Sequence, residues 1–346
     1  MSPYTKLLTS MSLLLGTAIT LSSNHWVMAW TGLEINTLAI IPMISKSHHP
    51  RAIEATIKYF LVQATASTML LFSSTTNAWS SGQWDITQMT HPMSCLILTT
   101  AIAMKLGLVP FHFWFPEVLQ GTSLTTALLL STLMKLPPLA LLLLTSNSLS
   151  PILLTSMAIS STALGGWMGL NQTQVRKILA FSSISHLGWM VAIILYSPKL
   201  TLLAFCLYTT MTSSVFMTLN TTKTTNLPTM MISWTKAPIL NTTLMLTLLS
   251  LAGLPPLTGF LPKWLILQEL TNQKLTPEAT IIAMLSLLSL FFYLRLAYYS
   301  TITLPPNSAT HTKQWHTSNP PNTTIAILTS MSISLLPLSP VILATM

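Results

Sequence analysis

Charge is what this sequence has least of. Of 346 residues, 15 are Lys or Arg and 6 are Asp or Glu, so 6% are charged against 51% hydrophobic. That leaves too little polar surface to cover a soluble globule of this size, and it excludes one. Acids are the scarcer sign, and four of the six lie in loops or near the ends of apolar runs, which argues against an acid-rich cation site. Cysteine is nearly absent: Cys95 and Cys206 sit in apolar runs and form no C-x-x-C. This excludes a disulfide framework and a cysteine-held iron–sulfur cluster. No Gly-rich nucleotide loop or flavin motif is present either. The formal charge of +9 comes from bases spread singly, not from a basic patch, so no nucleic-acid partner is expected. Apolar residues run on from Leu7, directly after Lys6, into further hydrophobic stretches. The N-terminus is therefore expected to be a first transmembrane helix, not a cleaved signal or Arg-rich transit sequence.

What is there is a series of apolar runs of about 20 residues, each long enough to cross roughly 30 Å of hydrocarbon. Eleven are expected, at 4–22, 25–44, 53–77, 94–118, 121–145, 150–170, 175–196, 200–221, 239–270, 277–299 and 324–345. The fold class expected is thus an all-α polytopic membrane protein. With eleven spans the loops alternate sides. The N-terminal side carries Lys6, Lys46, Arg51, Arg176, Lys177, Lys223, Lys236 and Lys313, and the other side only Lys199 and Lys274. The positive-inside rule then puts the N-terminus on the cytoplasmic or matrix side and the C-terminus across the membrane.

The other five bases fall within spans: Lys58, Lys105, Lys135, Lys263 and Arg295. A lysine at the bilayer centre costs at least about 2.5–3.5 kcal/mol on insertion scales and usually faces a bundle interior or hydrated cavity. Lys58 lies one turn from Glu54 near a span end, where an ion pair or snorkelling accounts for it as well as function does. Arg295, close to Tyr293, Tyr298 and Tyr299, reads as an interfacial anchor. Lys105, Lys135 and Lys263 are deeper, each beside helix-breaking sequence, and are expected to be functional. Glu34, in WTGLEINTLAI, is the one acid of similar depth and is a natural partner for a buried lysine. Of eight histidines, 25, 48, 49, 91, 311 and 316 fall in loops or at span ends, leaving His112 and His186 near membrane depth. Either could equally be a satisfied buried histidine.

Proline marks the breaks. The fourth span carries Gly107, Pro110 and Pro116, and the ninth carries GLPPLTGFLPK from Gly253 to Lys263. Proline removes a backbone donor and clashes with the preceding turn, so both helices should be interrupted. Such backbone is tolerated at membrane depth only where protein or water satisfies it. Spans one to five and six to ten then form two five-helix repeats, each with a broken fourth helix, and the odd number inverts the second. Paired breaks in an inverted repeat point to a transport site near the midplane. The expected domains are 1–146 with its broken helix at 94–118, 147–300 with its broken helix at 239–270, and 301–346 as a loop and final helix.

KLGLVPFHFWFPEV at 105–118, QVRKILAFSSISHLG at 174–188 and LSLAGLPPLTGFLPKW at 249–264 resemble the signature blocks of the antiporter-like membrane subunits of respiratory complex I. WTGLEINTLAIIP at 30–42, SGQWD at 81–85 and the overall length are most similar to a mitochondrially encoded member. The resemblance implies that Lys105, on the first broken helix, pairs with Glu34 on an earlier one. It makes Lys135, in MKLPP, and Lys263, in FLPKW, the second and third lysines of a buried axis, and sets His186 on that axis. His112 matches the PFH position, where relaying protons and packing against the break both fit. One departure stands out. The bacterial-type pattern has fourteen helices, and this chain begins about where the fourth would be.

The function implied is coupling of NADH:ubiquinone electron transfer to proton translocation through a Glu/Lys/His axis. This chain is expected to bind no cofactor, while the assembled complex uses FMN, Fe–S clusters, NADH and ubiquinone. Expected partners are other membrane-arm subunits of complex I and the lipid bilayer, including cardiolipin. The location implied is the mitochondrial inner membrane, with the N-terminus in the matrix and the C-terminus in the intermembrane space. A stand-alone cation/proton antiporter and a scaffold subunit without its own proton path are the competing readings.

Overall fold

The computed structural model describes residues 3–47, 49–234, 237–302 and 323–340. The readings that rest on His48, Lys236, His311, Lys313 and His316 lie outside the described residues, as does most of the 301–323 loop. Among the described residues the chain is helical with no strand. In order the helices are α1 (Pro3–Ser22), α2 (Trp26–Ile44), α3 (Pro50–Ser81), α4 (Pro92–Leu106), α5 (Trp114–Gly121), α6 (Leu124–Ser131), α7 (Leu136–Leu144) and α8 (Pro151–Gly169). They continue as α9 (Val175–Ile193), α10 (Pro198–Thr222), α11 (Leu227–Ser233), α12 (Pro238–Ala252), α13 (Phe260–Asn272), α14 (Thr276–Ala297) and α15 (Thr323–Ser334). Among the described residues, five stretches are long and apolar enough to cross a membrane: Trp26–Ile44, Leu124–Leu144, Pro151–Gly169, Pro198–Thr222 and Thr276–Thr301.

Local chemistry explains several helix starts. His25, His49 and His91 are N-caps of α2, α3 and α4, each Nδ1 accepting a backbone N–H, from Val27, Arg51 and Ser94. A capping acceptor satisfies one of the orphan donors of a first turn, and proline at the next position in α3 and α4 has no donor to satisfy. Three of the loop histidines thus have a structural use.

The chain separates into two compact units, Met1–Ser161 and Thr162–Met346. In the first, α3 packs against α2, α4 and α5, while α7 lies against α4 and α1. Helices α1 and α2 meet at Gly16 and Gly32, where a Cβ on either would come within 2.9 Å of the other's carbonyl oxygen. Small residues let transmembrane backbones approach this closely. In the second unit, α12 packs against α14, α10 and α15, and α13 against α14, α10 and α9.

Both helices read as broken are broken. α4 stops at Leu106 and α5 starts at Trp114; α12 stops at Ala252 and α13 starts at Phe260. The two ends are built alike. Gly107 (φ 75°) and Gly253 (φ 82°) are left-handed caps. In α4 the Gly107 N–H reaches Met104 O at 3.3 Å and the Leu108 N–H reaches Ala103 O at 3.0 Å. In α12 the Gly253 N–H reaches Ser250 O at 3.0 Å and the Leu254 N–H reaches Leu249 O at 3.4 Å. Each is a Schellman end, which glycine adopts without the Cβ penalty.

Two features differ from the expected pattern. The span at 121–145 is interrupted too, by a 3-10 turn Leu133–Lys135 between α6 and α7. Pro137 and Pro138 lack the N–H groups that would bond the carbonyls four residues earlier, which releases that turn. The 222–238 connection, read as a loop, contains α11.

Candidate functional site

In the first unit the break in α4 borders a small cavity of about 20 Å³, room for about one water. Lys105, Lys135, Tyr59, Gln63, Trp114 and Phe115 are among its walls. Lys105 comes from the last turn of α4, where the helix dipole favours a cation. Its side chain is 5% exposed, and its Nζ has no hydrogen-bond partner among the described residues. The Trp114 indole N–H, from the far side of the break, instead donates to Met104 O at 3.2 Å. Lys135, 2% exposed, is carried by the 3-10 turn and holds its Nζ 4.3 Å from the centre of the Phe115 ring, a cation–π contact. Two lysines read as separate stations thus share one cavity.

Glu34 is half-buried on α2, which packs against the helix that carries Tyr59. It does not make the expected ion pair. The ion pairs of the described residues join Lys58 to Glu54 and, at 2.6 Å, to Glu117, all of them surface groups. One Glu34 carboxylate oxygen, Oε2, is buried without a hydrogen-bond partner. Tyr59 is 1% exposed, and its hydroxyl also lacks a partner among the described residues. His112 is buried in the break with its ring 4.2 Å from that of Phe113. The cavity walls do not include it.

In the second unit Lys263 reaches back from α13 and donates to Ala252 O at 2.8 Å. That carbonyl ends α12, where a cation satisfies an orphan acceptor and complements the dipole. The Trp189 ring lies 5.8 Å from the same Nζ. His186, on α9, has Nε2 3.3 Å from the Tyr293 hydroxyl, and its ring centroid is 5.5 Å from that of Tyr208. Tyr293 is 1% exposed, buried among its helical neighbours. Its neighbour Arg295 donates to Leu170 O and Gln172 O, holding the turn after α8.

Tyr59, Gln63, Trp189 and Tyr208 were not singled out from sequence, and Tyr293 was read only as a neighbour of Arg295. The available signal was weak: Tyr59 and Gln63 lie one turn apart on the same face of a helix whose other buried polar residues include Thr56, Ser67 and Asn77. Among the described residues no three His, Cys, Asp or Glu side chains converge as a metal site would need.

Broken helices with buried lysines at their breaks, in an all-helical apolar chain, define an antiporter-like membrane subunit. The chain belongs to the NADH:quinone oxidoreductase/Mrp antiporter transmembrane family, whose model matches residues 23–291, and to its NADH dehydrogenase subunit 2 branch, whose C-terminal model matches residues 290–343. It is 75% identical over 346 residues to NADH-ubiquinone oxidoreductase chain 2 of Struthio camelus, covering 100% of both chains. It is 74% identical over 343 residues to that of Gallus gallus, covering 99% of each. Its fold resembles a chain of respiratory complex I from Thermus thermophilus, solved with bound aureothin (TM-score 0.82, 24% identity, 95% of this chain and 79% of that one). It also resembles a chain of the Mrp complex from Dietzia sp. (TM-score 0.82, 14% identity, 97% and 75%). At these identities the solved structures bear on fold alone.

Proposed function

We propose that this subunit of respiratory complex I carries protons through its buried Glu/Lys/His groups, driven by NADH:ubiquinone electron transfer elsewhere in the assembly. The supporting observation is the shared cavity of Lys105 and Lys135, with Glu34 on a helix that packs against one lining it. Desolvation disfavours an ammonium and an adjacent carboxylate favours it, so altering the Glu34 to Lys105 relation loads or releases a proton at Lys105. Lys135 is the next acceptor in the first unit, and His186 and Lys263 are the stations of the second. Carrying one charge against about 100 mV requires roughly 2.3 kcal/mol, the scale of a change of one to two pKa units.

The arrangement we propose around these residues is eleven transmembrane helices in two inverted five-helix repeats plus a final helix. The subunit would lie in the mitochondrial inner membrane, N-terminus to the matrix and C-terminus to the intermembrane space, in contact with lipid, including cardiolipin. FMN, Fe–S clusters, NADH and ubiquinone belong to other parts of the complex in this reading. Lys263 supports a second reading for its own position: a bond to Ala252 O and a neighbouring indole suit a structural cation as well as a proton carrier.

The test is coupled NADH:ubiquinone turnover in the assembled complex. Lys105→Ala or Lys263→Ala is expected to lower it at least about tenfold while the complex still assembles, the low side of what a positioned proton-transfer group contributes. Normal turnover with both lysines removed contradicts the proposal.

A further inference from the structure

We infer that Tyr59 is a positioning residue: its hydroxyl holds a water beside Lys105 in the first unit's cavity, and the proton that reaches Lys105 from the Glu34 side passes through that water. This rests on the proton-path reading above. Three buried polar groups in one region have no partner among the described residues: Glu34 Oε2, Lys105 Nζ and the Tyr59 hydroxyl. Buried polar groups are otherwise nearly always hydrogen-bonded, and a cluster of orphans beside a cavity is where an ordered water is expected. The cavity is large enough for at least one. Tyr59 and Lys105 are wall residues, and Glu34 itself is not. Tyr59 lines the cavity from the helix that packs against that of Glu34, with the Gln63 side chain one turn further along the same wall.

The proton balance is simple. The neutral Lys105 amine takes a proton from that water, one of whose O–H bonds breaks as the water accepts a proton from the donor before it on the path, and at the head of that path the protonated Glu34 carboxyl gives up its own. Carboxylate and ammonium result, and the water and the Tyr59 phenol are unchanged. The phenol orients that water by hydrogen bonding and keeps its own proton. Without it the water loses one of the two to four polar partners that fix it.

Tyr59→Phe deletes the hydroxyl and keeps the ring's packing against Trp114, whose centroid lies 5.8 Å away. In the assembled complex this variant is expected to assemble at wild-type level and to lower kcat at least about tenfold with KM for NADH and ubiquinone unchanged. The H2O/D2O rate ratio should rise, because proton transfer becomes limiting. The double variant Tyr59→Phe/Glu34→Gln should be no slower than Glu34→Gln alone, since both interrupt one link. Unchanged kcat and isotope ratio in Tyr59→Phe, or multiplicative losses in the double variant, overturn the inference. If Tyr59→Phe does not assemble, a density map of the unmodified complex decides: an ordered water bonded to the Tyr59 hydroxyl supports the inference and a dry cavity overturns it. Lys105→Ala separates the two layers. A slow Lys105→Ala beside a normal Tyr59→Phe removes only Tyr59 from the path, whereas normal turnover in Lys105→Ala removes the proton-path reading itself.

Discussion

The three deep lysines occupy three different environments, and these set what each substitution does. Lys135 sits against an aromatic ring, where the cation–π attraction offsets part of the cost of burying an ammonium. Lys135→Met keeps most of the volume and removes that burial cost. In the assembled complex it is expected to lower coupled turnover at least about tenfold. Lys263 differs because its ammonium satisfies the buried carbonyl of Ala252. Lys263→Met orphans that acceptor, a loss of about 1–3 kcal/mol, so this complex should assemble yet melt lower. A thermal scan of Lys263→Met against the unmodified complex measures what the bond to Ala252 O contributes.

At the scale of elements, the two Schellman ends look interchangeable but face different neighbours. A Cβ on Gly107 would meet Phe115 and Trp114 at 3.5 Å, ordinary contact. A Cβ on Gly253 would meet the Lys263 side chain at 2.9 Å. Both alanine substitutions incur the left-handed backbone penalty of about 1–2 kcal/mol. Gly253→Ala additionally pushes Lys263 off the Ala252 carbonyl, so it should lower both thermal stability and coupled turnover more than Gly107→Ala. Equal effects of the two would show that the Lys263 position is not what matters there.

The breaks were legible in the sequence because proline acts locally: Pro110 and Pro116 in one segment, and Pro255, Pro256 and Pro262 in the other, forbid a continuous helix whatever surrounds them. The same reasoning applied to Pro137 and Pro138 predicts the third break, which the apolar run around them masked. Tyr59, Tyr208 and Tyr293 were not legible, since a tyrosine in an apolar span packs with equal ease toward lipid or core. Only tertiary packing buries their hydroxyls. The Glu34 to Lys105 pairing was half legible. Two scarce opposite charges at membrane depth pointed to each other, and among the described residues they form no ion pair.

On the scale of the whole molecule, a chain with 6% charged residues keeps two of its few charges, Lys105 and Lys135, buried. Insertion costs make this arrangement expensive for a passive scaffold. Structural cations explain Arg295, which holds two carbonyls, and Lys58, which bridges Glu54 and Glu117 at the surface. They do not explain Lys105, buried beside a cavity with no hydrogen-bond partner among the described residues. The central claim is that the buried lysines of this subunit carry protons. It is tested most directly by the number of protons moved per electron pair when the complex carrying Lys105→Ala and Lys263→Ala together is sealed into vesicles. The account predicts a lower ratio than in the unmodified enzyme at equal assembly; an unchanged ratio would contradict it.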